Sequence, residues 1–367
     1  MAGALASNHI RRPSAQERVR LMIVDDSMVA RAVLSRIVSN DPRFEIVAVA
    51  GTAEDAVTAL QYTRVDIILL DLEMPGAGGL KHLPKIIEVA RGAQVLIVSS
   101  LADEGAEVTV QALALGAADT LPKPGTGKFR GRFSEVLLGK LGELASGTVA
   151  FAASREQQVL PLPDTPAPGL RLMPDAPLEL LAIGASTGGI HALSMFFHSL
   201  PPKIGVPILV TQHLPAAFMS VFARQLGSAA LRPCWVAENG MKLEADQVYV
   251  APGEKHLSVE RREDGAYARL SSQPARSGCC PSVDPMFDSA AREFGEGAIG
   301  VVLTGMGRDG TDGAAKLVAC GGAVIAQDEN SSAVWGMPRA VADAGLIAAS
   351  GTPGELADLV ANRLERD

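Results

Sequence analysis

The sequence predicts an α/β protein made of two doubly wound domains. In each half of the chain, short unbroken apolar runs alternate with helical segments, which is the pattern of parallel strands covered on both faces by helices. A stretch without periodicity, with six prolines in 161–177, divides the two series. The length of 367 residues and the 47% hydrophobic share are sufficient for two separate cores.

Residues 1–18, "MAGALASNHIRRPSAQER", lack the apolar core of an export signal and are expected to form a flexible polar leader. The first domain is expected over 19–145, with strands at 20–24, 45–49, 66–70, 95–99 and 118–121. Helices are expected at 27–39, 53–61, 79–90, 106–115 and 131–145. Residues 146–177 are expected to be an extended, exposed, Pro-rich linker. The second domain is expected over 178–367, with strands at 178–183, 206–211, 247–250, 299–303, 323–326 and 345–348. Its helices are expected at 188–199, 216–227, 285–294, 312–319 and 353–364, and an antiparallel hairpin at 256–271 turns on "RREDG". The fold class is thus a flavodoxin-like five-stranded parallel sheet followed by a Rossmann-like, mostly parallel sheet with an antiparallel hairpin.

Composition excludes several functions. A net charge of −8, no basic face and no helix-turn-helix tail argue against gripping nucleic acid. The four cysteines, Cys234, Cys279, Cys280 and Cys320, form no CxxC pair, so neither a disulfide framework nor a zinc site is expected and a cytoplasmic location fits. No apolar run approaches the ~18 residues of a membrane span, so no membrane insertion is expected.

Chemistry-bearing residues gather at strand ends, the edge where open parallel sheets bind ligands. In the first domain Asp25 and Asp26 follow the strand "RLMIV" and Asp71 follows "VDIILL". Three converging carboxylates repel unless a hard divalent cation neutralises them, and oxygen donors of this kind suit Mg²⁺. Beside such a cation an Asp71 oxygen can accept a phosphoryl group, with the Ser99 hydroxyl and the Lys123 ammonium contacting its oxygens. These residues stand in "VDDS", "LLDLEMPG", "VSS" and "PKP", and residues 20–145 resemble a response-regulator receiver domain. The resemblance implies that Asp71 is phosphorylated, that Asp25, Asp26 and the Glu73 backbone carbonyl complete the Mg²⁺ shell, and that Ser99 and Lys123 sense the phosphoryl group. Two departures are that "MPGAGGL" lacks the usual acid before the last Gly-Leu, and that Thr120 stands where many receivers carry an aromatic switch.

In the second domain "IGASTGG" satisfies G-x-S-x-G, a turn that exposes a serine above a sheet. The same glycines ahead of a helix suit a dinucleotide pyrophosphate, and the motif alone leaves both uses open. The next strand, "VPILVTQHLP", ends in His213 where a dinucleotide site would place an acid, which favours a base-activated Ser186. His191 and His198 fall inside the helix after the turn, and His256 lies near the hairpin. A glycine-rich loop after "AIGVVLTG" offers Asp309, closer to its strand end than Asp312, to orient the imidazole. Its Gly305-Met306-Gly307 segment offers a backbone amide to an oxyanion. The order Ser186, His213, Asp309 differs from that of α/β-hydrolases, where the acid precedes the histidine.

The pieces "AIGASTGG", "TQHLP", "YVAPGEKH", "PSVDPMF", "LTGMGRDG" and "WGMPRA" occur in order, and residues 178–365 resemble the catalytic domain of the chemotaxis protein-glutamate methylesterases. That resemblance implies a Ser186-His213-Asp309 triad, Thr187 and Met306 near the oxyanion, and no cofactor for the hydrolase. It further implies demethylation and deamidation of methyl-accepting chemotaxis receptors, activated by phosphotransfer from a chemotaxis histidine kinase. "RSGCCPSVD" departs from the family, which commonly carries basic residues before the proline. The competing classes are a receiver joined to a nucleotide-binding module and, more weakly, a transcriptional regulator.

Overall fold

A computed structural model describes residues 18–75, 78–99, 103–123, 132–156 and 169–364. The first domain runs β1 (Val19–Val24), α1 (Met28–Ser39), β2 (Phe44–Ala50), α2 (Ala53–Tyr62), β3 (Ile67–Leu70), α3 (Gly78–Val89), β4 (Gln94–Ser99), α4 (Asp103–Ala114), β5 (Asp119–Pro122) and α5 (Arg132–Glu156). Its strands pair in the order β2-β1-β3-β4-β5, all parallel, which is the flavodoxin-like arrangement. Alternation sorts the strand side chains onto two faces. Leu21, Ile23, Leu69 and Val98 pack with Leu34 and Val38 of α1 and Leu137 and Leu141 of α5. Met22, Val24, Ile68 and Ile97 pack with Ala56 of α2, Leu83 of α3 and Val110 of α4. Each such side chain, when fully buried, is stabilised by about 1.5–3 kcal/mol.

The second domain continues through β6 (Leu180–Ala185), α6 (Gly189–Ser199), β7 (Ile208–Gln212), α7 (Ala216–Ala230), β8 (Cys234–Val236), β9 (Lys242–Leu243) and β10 (Val248–Val250). It then runs β11 (His256–Arg262), β12 (Gly265–Ser271), α8 (Val283–Phe294), β13 (Ala298–Val302), α9 (Thr311–Ala319), β14 (Ala323–Gln327), α10 (Met337–Asp343), β15 (Ala349–Gly351) and α11 (Pro353–Leu364). Seven strands pair in the order β15-β14-β13-β6-β7-β10-β8, every pair parallel, while β11, β12 and β9 form a separate antiparallel sheet. From β6 the chain winds outward through β7 and β10, then returns to lay β13 on the other flank of β6. The ends of β6, β7 and β13 therefore border the crevice where the winding reverses, which is the usual ligand position in such sheets.

Several expectations are corrected. Helix α5 extends to Glu156, so the expected linker does not begin at 146. The segment "LASGTVAFAASRE" is alanine-rich and proline-free, and nothing in it halts a helix. Residues 169–177 have neither helix nor strand, and Arg171 and Arg363 tie them to the second domain through the Gly345 and Ala176 carbonyls. The expected strand at 345–348 begins only at Ala349, because α10 ends in a left-handed turn at Gly345. The short elements β8, β9 and α10 fall below the length at which periodicity is readable. The leader through residue 17 and the proline cluster of 161–168 lie outside the described residues, as does Pro124 of "PKP". Among the described residues no helix is long and apolar enough to cross a membrane.

The two domains share core. The apolar cluster on the α4 side of the first sheet is continuous with Ile190 and Leu193 of α6 and with Phe218 and Phe222 of α7.

Candidate functional sites at two sheet edges

At the first edge, Asp25 and Asp71 are buried and Asp26 is exposed, with one carboxylate oxygen from each lying within 4.8 Å of the others. The Lys123 ammonium donates to Asp71 Oδ2 at 2.7 Å and lies 3.0 Å from Asp25 Oδ2. The Glu73 amide donates to Asp71 Oδ1 at 3.1 Å, and the Ser27 amide donates to Asp25 Oδ1 at 2.9 Å. Burial pushes the Asp71 carboxyl above its ordinary range, aided by the nearby Asp25 charge, although Lys123 and the Glu73 amide oppose it. Burial lowers the Lys123 ammonium, but Asp71 and Asp25 outweigh that and raise it. An all-oxygen cluster with two of its three carboxylates buried, and whose anions exceed its single ammonium, suits a hard divalent cation. Ser99 is at the end of β4, with its hydroxyl paired to Thr109 Oγ1 at 2.7 Å.

At the second edge the turn after β6 is built for close packing. Gly188 takes φ +76°, and a Cβ on Gly189 would stand 2.2 Å from Gln212 Oε1. Ser186 follows β6, His213 follows β7, and Asp309 stands in the loop between β13 and α9. The Ser186 hydroxyl donates to His213 Nδ1 at 3.1 Å, and His213 Nε2 donates to Asp309 Oδ2 at 2.8 Å. This tautomer puts a lone pair on the nitrogen facing serine. Asp309 also accepts Ser282 Oγ at 2.6 Å and the Val283 amide at 2.7 Å. Burial alone would raise the Asp309 carboxyl, but the His213 hydrogen bond and charge, with the Ser282 and Val283 hydrogen bonds, hold it well below the usual range.

The neighbouring groups separate the candidates. Asp312 forms an outward ion pair with Arg276 at 3.1 Å. His256 accepts the Ser282 amide at Nδ1 and donates from Nε2 to the Gln273 carbonyl, so it supports the Asp309 loop. His191 donates from Nδ1 to the Ala114 carbonyl in the first domain. The Gly305 amide is taken by the Val334 carbonyl, leaving its neighbour Met306, with Thr187, lining the Ser186 cavity.

That cavity, about 370 Å³, is lined by both domains, with Asp119, Lys140 and Glu143 facing Ser186, His213 and Asp309. Thr187 Oγ1 donates to Asp119 Oδ2 at 3.2 Å, and the Gly188 amide donates to the Ala118 carbonyl at 2.7 Å. Lys140 of α5 neutralises Asp119 at 2.5 Å. Helix α4 packs on α6 and α7, with Glu107 facing Arg224 at 3.1 Å.

Sequence reasoning missed Ser282, Gln212 and Asp119. Ser282 was visible as a serine preceding the apolar start of α8, where it caps the helix through the Asp284 amide. Gln212 adjoins His213, and its Nε2 donates to the Ser186 carbonyl at 2.9 Å. Asp119 meets Thr187 only across the domain boundary, which leaves no mark in a single sequence.

Comparison with known proteins follows the same division. The profile described as response regulator receiver domain matches residues 21–129, and that described as CheB methylesterase matches residues 181–360. A Rhodopseudomonas palustris protein named protein-glutamate methylesterase/protein-glutamine glutaminase of group 2 operon is 39% identical, covering 95% of each chain. A Caulobacter vibrioides protein named protein-glutamate methylesterase/protein-glutamine glutaminase 2 is 40% identical over 94% of this chain and 99% of its own. The crystal structure of the Thermotoga maritima CheB methylesterase catalytic domain is 33% identical, covering 51% of this chain and 99% of that one at a TM-score of 0.49.

Proposed function

The chain belongs to the protein-glutamate methylesterase/protein-glutamine glutaminase family, and on that premise we propose that Ser186, His213 and Asp309 carry the hydrolysis. The enzyme demethylates glutamate methyl esters and deamidates glutamines. The observation that supports these residue roles is the hydrogen-bonded series from Ser186 through His213 to Asp309, at 3.1 and 2.8 Å.

His213 Nδ1 takes the Ser186 proton as Oγ attacks the side-chain carbonyl, and Asp309 stabilises the imidazolium that forms. The amides of Thr187 and Met306 receive the oxyanion. His213 then returns the proton to the departing methoxide or amide nitrogen, which leaves as methanol or ammonia. A water, deprotonated by the same histidine, attacks the acyl-enzyme, and the products are glutamate and a restored Ser186. This chemistry uses no cofactor.

Asp71 is the phosphoryl acceptor in this proposal, supplied by a chemotaxis histidine kinase, and methyl-accepting receptors are the substrates. Asp25, Asp26, Asp71 and the Glu73 carbonyl would hold Mg²⁺, which supplies charge neutralisation for phosphoryl transfer. Ser99 and Lys123 contact the transferred group, and both adjoin β5, since the Lys123 amide donates to the Ser99 carbonyl at 2.7 Å. The other end of β5 carries Asp119, which holds Thr187 beside Ser186. The unphosphorylated first domain thus covers the serine, and phosphorylation loosens the cover.

Ser186→Ala should abolish methanol release from methylated receptor membranes, by about 10³-fold or more, without changing the melting temperature. Retained release would remove Ser186 from the reaction.

A further inference from the structure

Cys279, for which the hydrolysis has no use, stands beside the triad. One ligand atom each from Cys279, His213 and Asp309 lies within 4.8 Å of the other two, and the three side chains line the same cavity of about 370 Å³. We propose that Cys279, His213 and Asp309 form an inhibitory site for a thiophilic divalent cation, with Zn²⁺ the best match.

The donor set selects the ion. Sulfur, imidazole nitrogen and one carboxylate oxygen form a borderline-soft set that suits Zn²⁺ and not Mg²⁺ or Ca²⁺. A tetrahedral zinc with bonds of about 2.0–2.3 Å keeps its donors roughly 3.3–3.8 Å apart, so the 2.8 Å His213–Asp309 pair opens slightly and the Cys279 sulfur, within 4.8 Å of both, moves in by at most about 1.5 Å. The ion binds His213 Nε2 in place of the proton shared with Asp309 at 2.8 Å. That proton moves to Nδ1, so that the imidazole stays neutral, and the Cys279 thiol proton leaves to solvent. One thiolate and one carboxylate then balance the two positive charges. Asp309 is already oriented by Ser282 and the Val283 amide, the kind of outer support that fixes a metal-bound carboxylate. The cavity leaves a fourth position for water. With zinc in place His213 cannot accept the Ser186 proton, so the metal stops hydrolysis. The metal site stands on the geometry alone, whereas the inhibition rests on the functional proposal above.

The full chain is tested with Mg²⁺ in excess, so that the three-aspartate cluster of the first domain is saturated. Co²⁺, used as the spectroscopic probe, should give a near-ultraviolet thiolate-to-cobalt absorption band in the wild type, Ser186→Ala and Cys280→Ser. Cys279→Ser should lack the band. The Zn²⁺ concentration that halves methanol release, each protein scaled to its own metal-free rate, should rise about tenfold or more in Cys279→Ser. A wild type without the band, a band that survives Cys279→Ser, or undiminished zinc inhibition in that variant overturns the site. A band lost only with Cys279, in a wild type that releases no methanol, upholds the metal site and sinks the hydrolase roles.

Discussion

Asp71 and Asp309 both follow parallel strands and are equally buried, each at 2% exposure, yet their ionisation is driven in opposite directions. Around Asp71, burial and the neighbouring Asp25 charge prevail over one lysine and one amide. Around Asp309, the imidazole of His213, a hydroxyl and an amide prevail over the same burial. Burial therefore does not set a carboxylate's role; the count and kind of donors aimed at it do. A carboxylate left short of donors is suited to meet a cation and take up a phosphoryl group. One saturated with donors stays ionised and steadies a histidine.

The sharpest way to break this contrast is Asp309→Asn. Turnover should fall about 10³- to 10⁴-fold, because the amide no longer stabilises the imidazolium or fixes its tautomer. A depressed folded pKa contributes stability above the unfolded carboxylate value of about 3.9. That contribution disappears as pH falls through the folded value. The melting temperature of Asp309→Asn should therefore lie furthest below wild type at neutral pH, and the gap should close below about pH 4. A gap that widens on acidification would contradict the assigned direction.

Asp119→Ala sharpens the link between the edges. Removing the acceptor of Thr187 should raise methanol release without any phosphodonor by about three- to tenfold, the scale of one lost hydrogen bond. Unchanged basal release would show that the remaining contacts, the Gly188 amide on the Ala118 carbonyl and the packing of α4 on α6 and α7, cover the site without the Thr187–Asp119 bond.

The smallest effect concerns Asp284, beside the Asp309 support. Burial and the Asp309 charge raise its carboxyl to about 6, against the Gly313 amide that donates to it at 2.8 Å. Its ionised form therefore costs stability, a cost absent near pH 4 and complete above pH 6. Asp284→Asn should raise the melting temperature by about 2 °C at pH 7 and leave it unchanged at pH 4. A gain confined to acid pH would reverse the sign.

Most of this arrangement was legible because buried parallel strands read as unbroken apolar runs. "LLAIGA", "PILVTQ" and "AIGVVL" announced β6, β7 and β13; Ser186 and His213 directly follow the first two, and Asp309 stands in the glycine-rich loop after the third. The turn at Gly184–Gly189 stayed ambiguous between pyrophosphate and nucleophile until His213 and Asp309 were set beside it. What sequence could not carry were contacts without local periodicity. The Ser282 hydroxyl on Asp309, the Asp119 carboxylate on Thr187 and the Cys279 thiol beside His213 each depend on how separate segments dock. The extension of α5 to Glu156 was hidden for another reason: small residues such as Ala and Gly leave no amphipathic stripe to count.

The most direct test of coupling between the edges is methanol release from methylated receptor membranes, with and without a small phosphodonor and Mg²⁺, by the wild type and Asp71→Asn. The phosphodonor should accelerate the wild type and leave Asp71→Asn at its basal rate. Equal acceleration of both proteins, or of neither, would contradict control of Ser186 from Asp71.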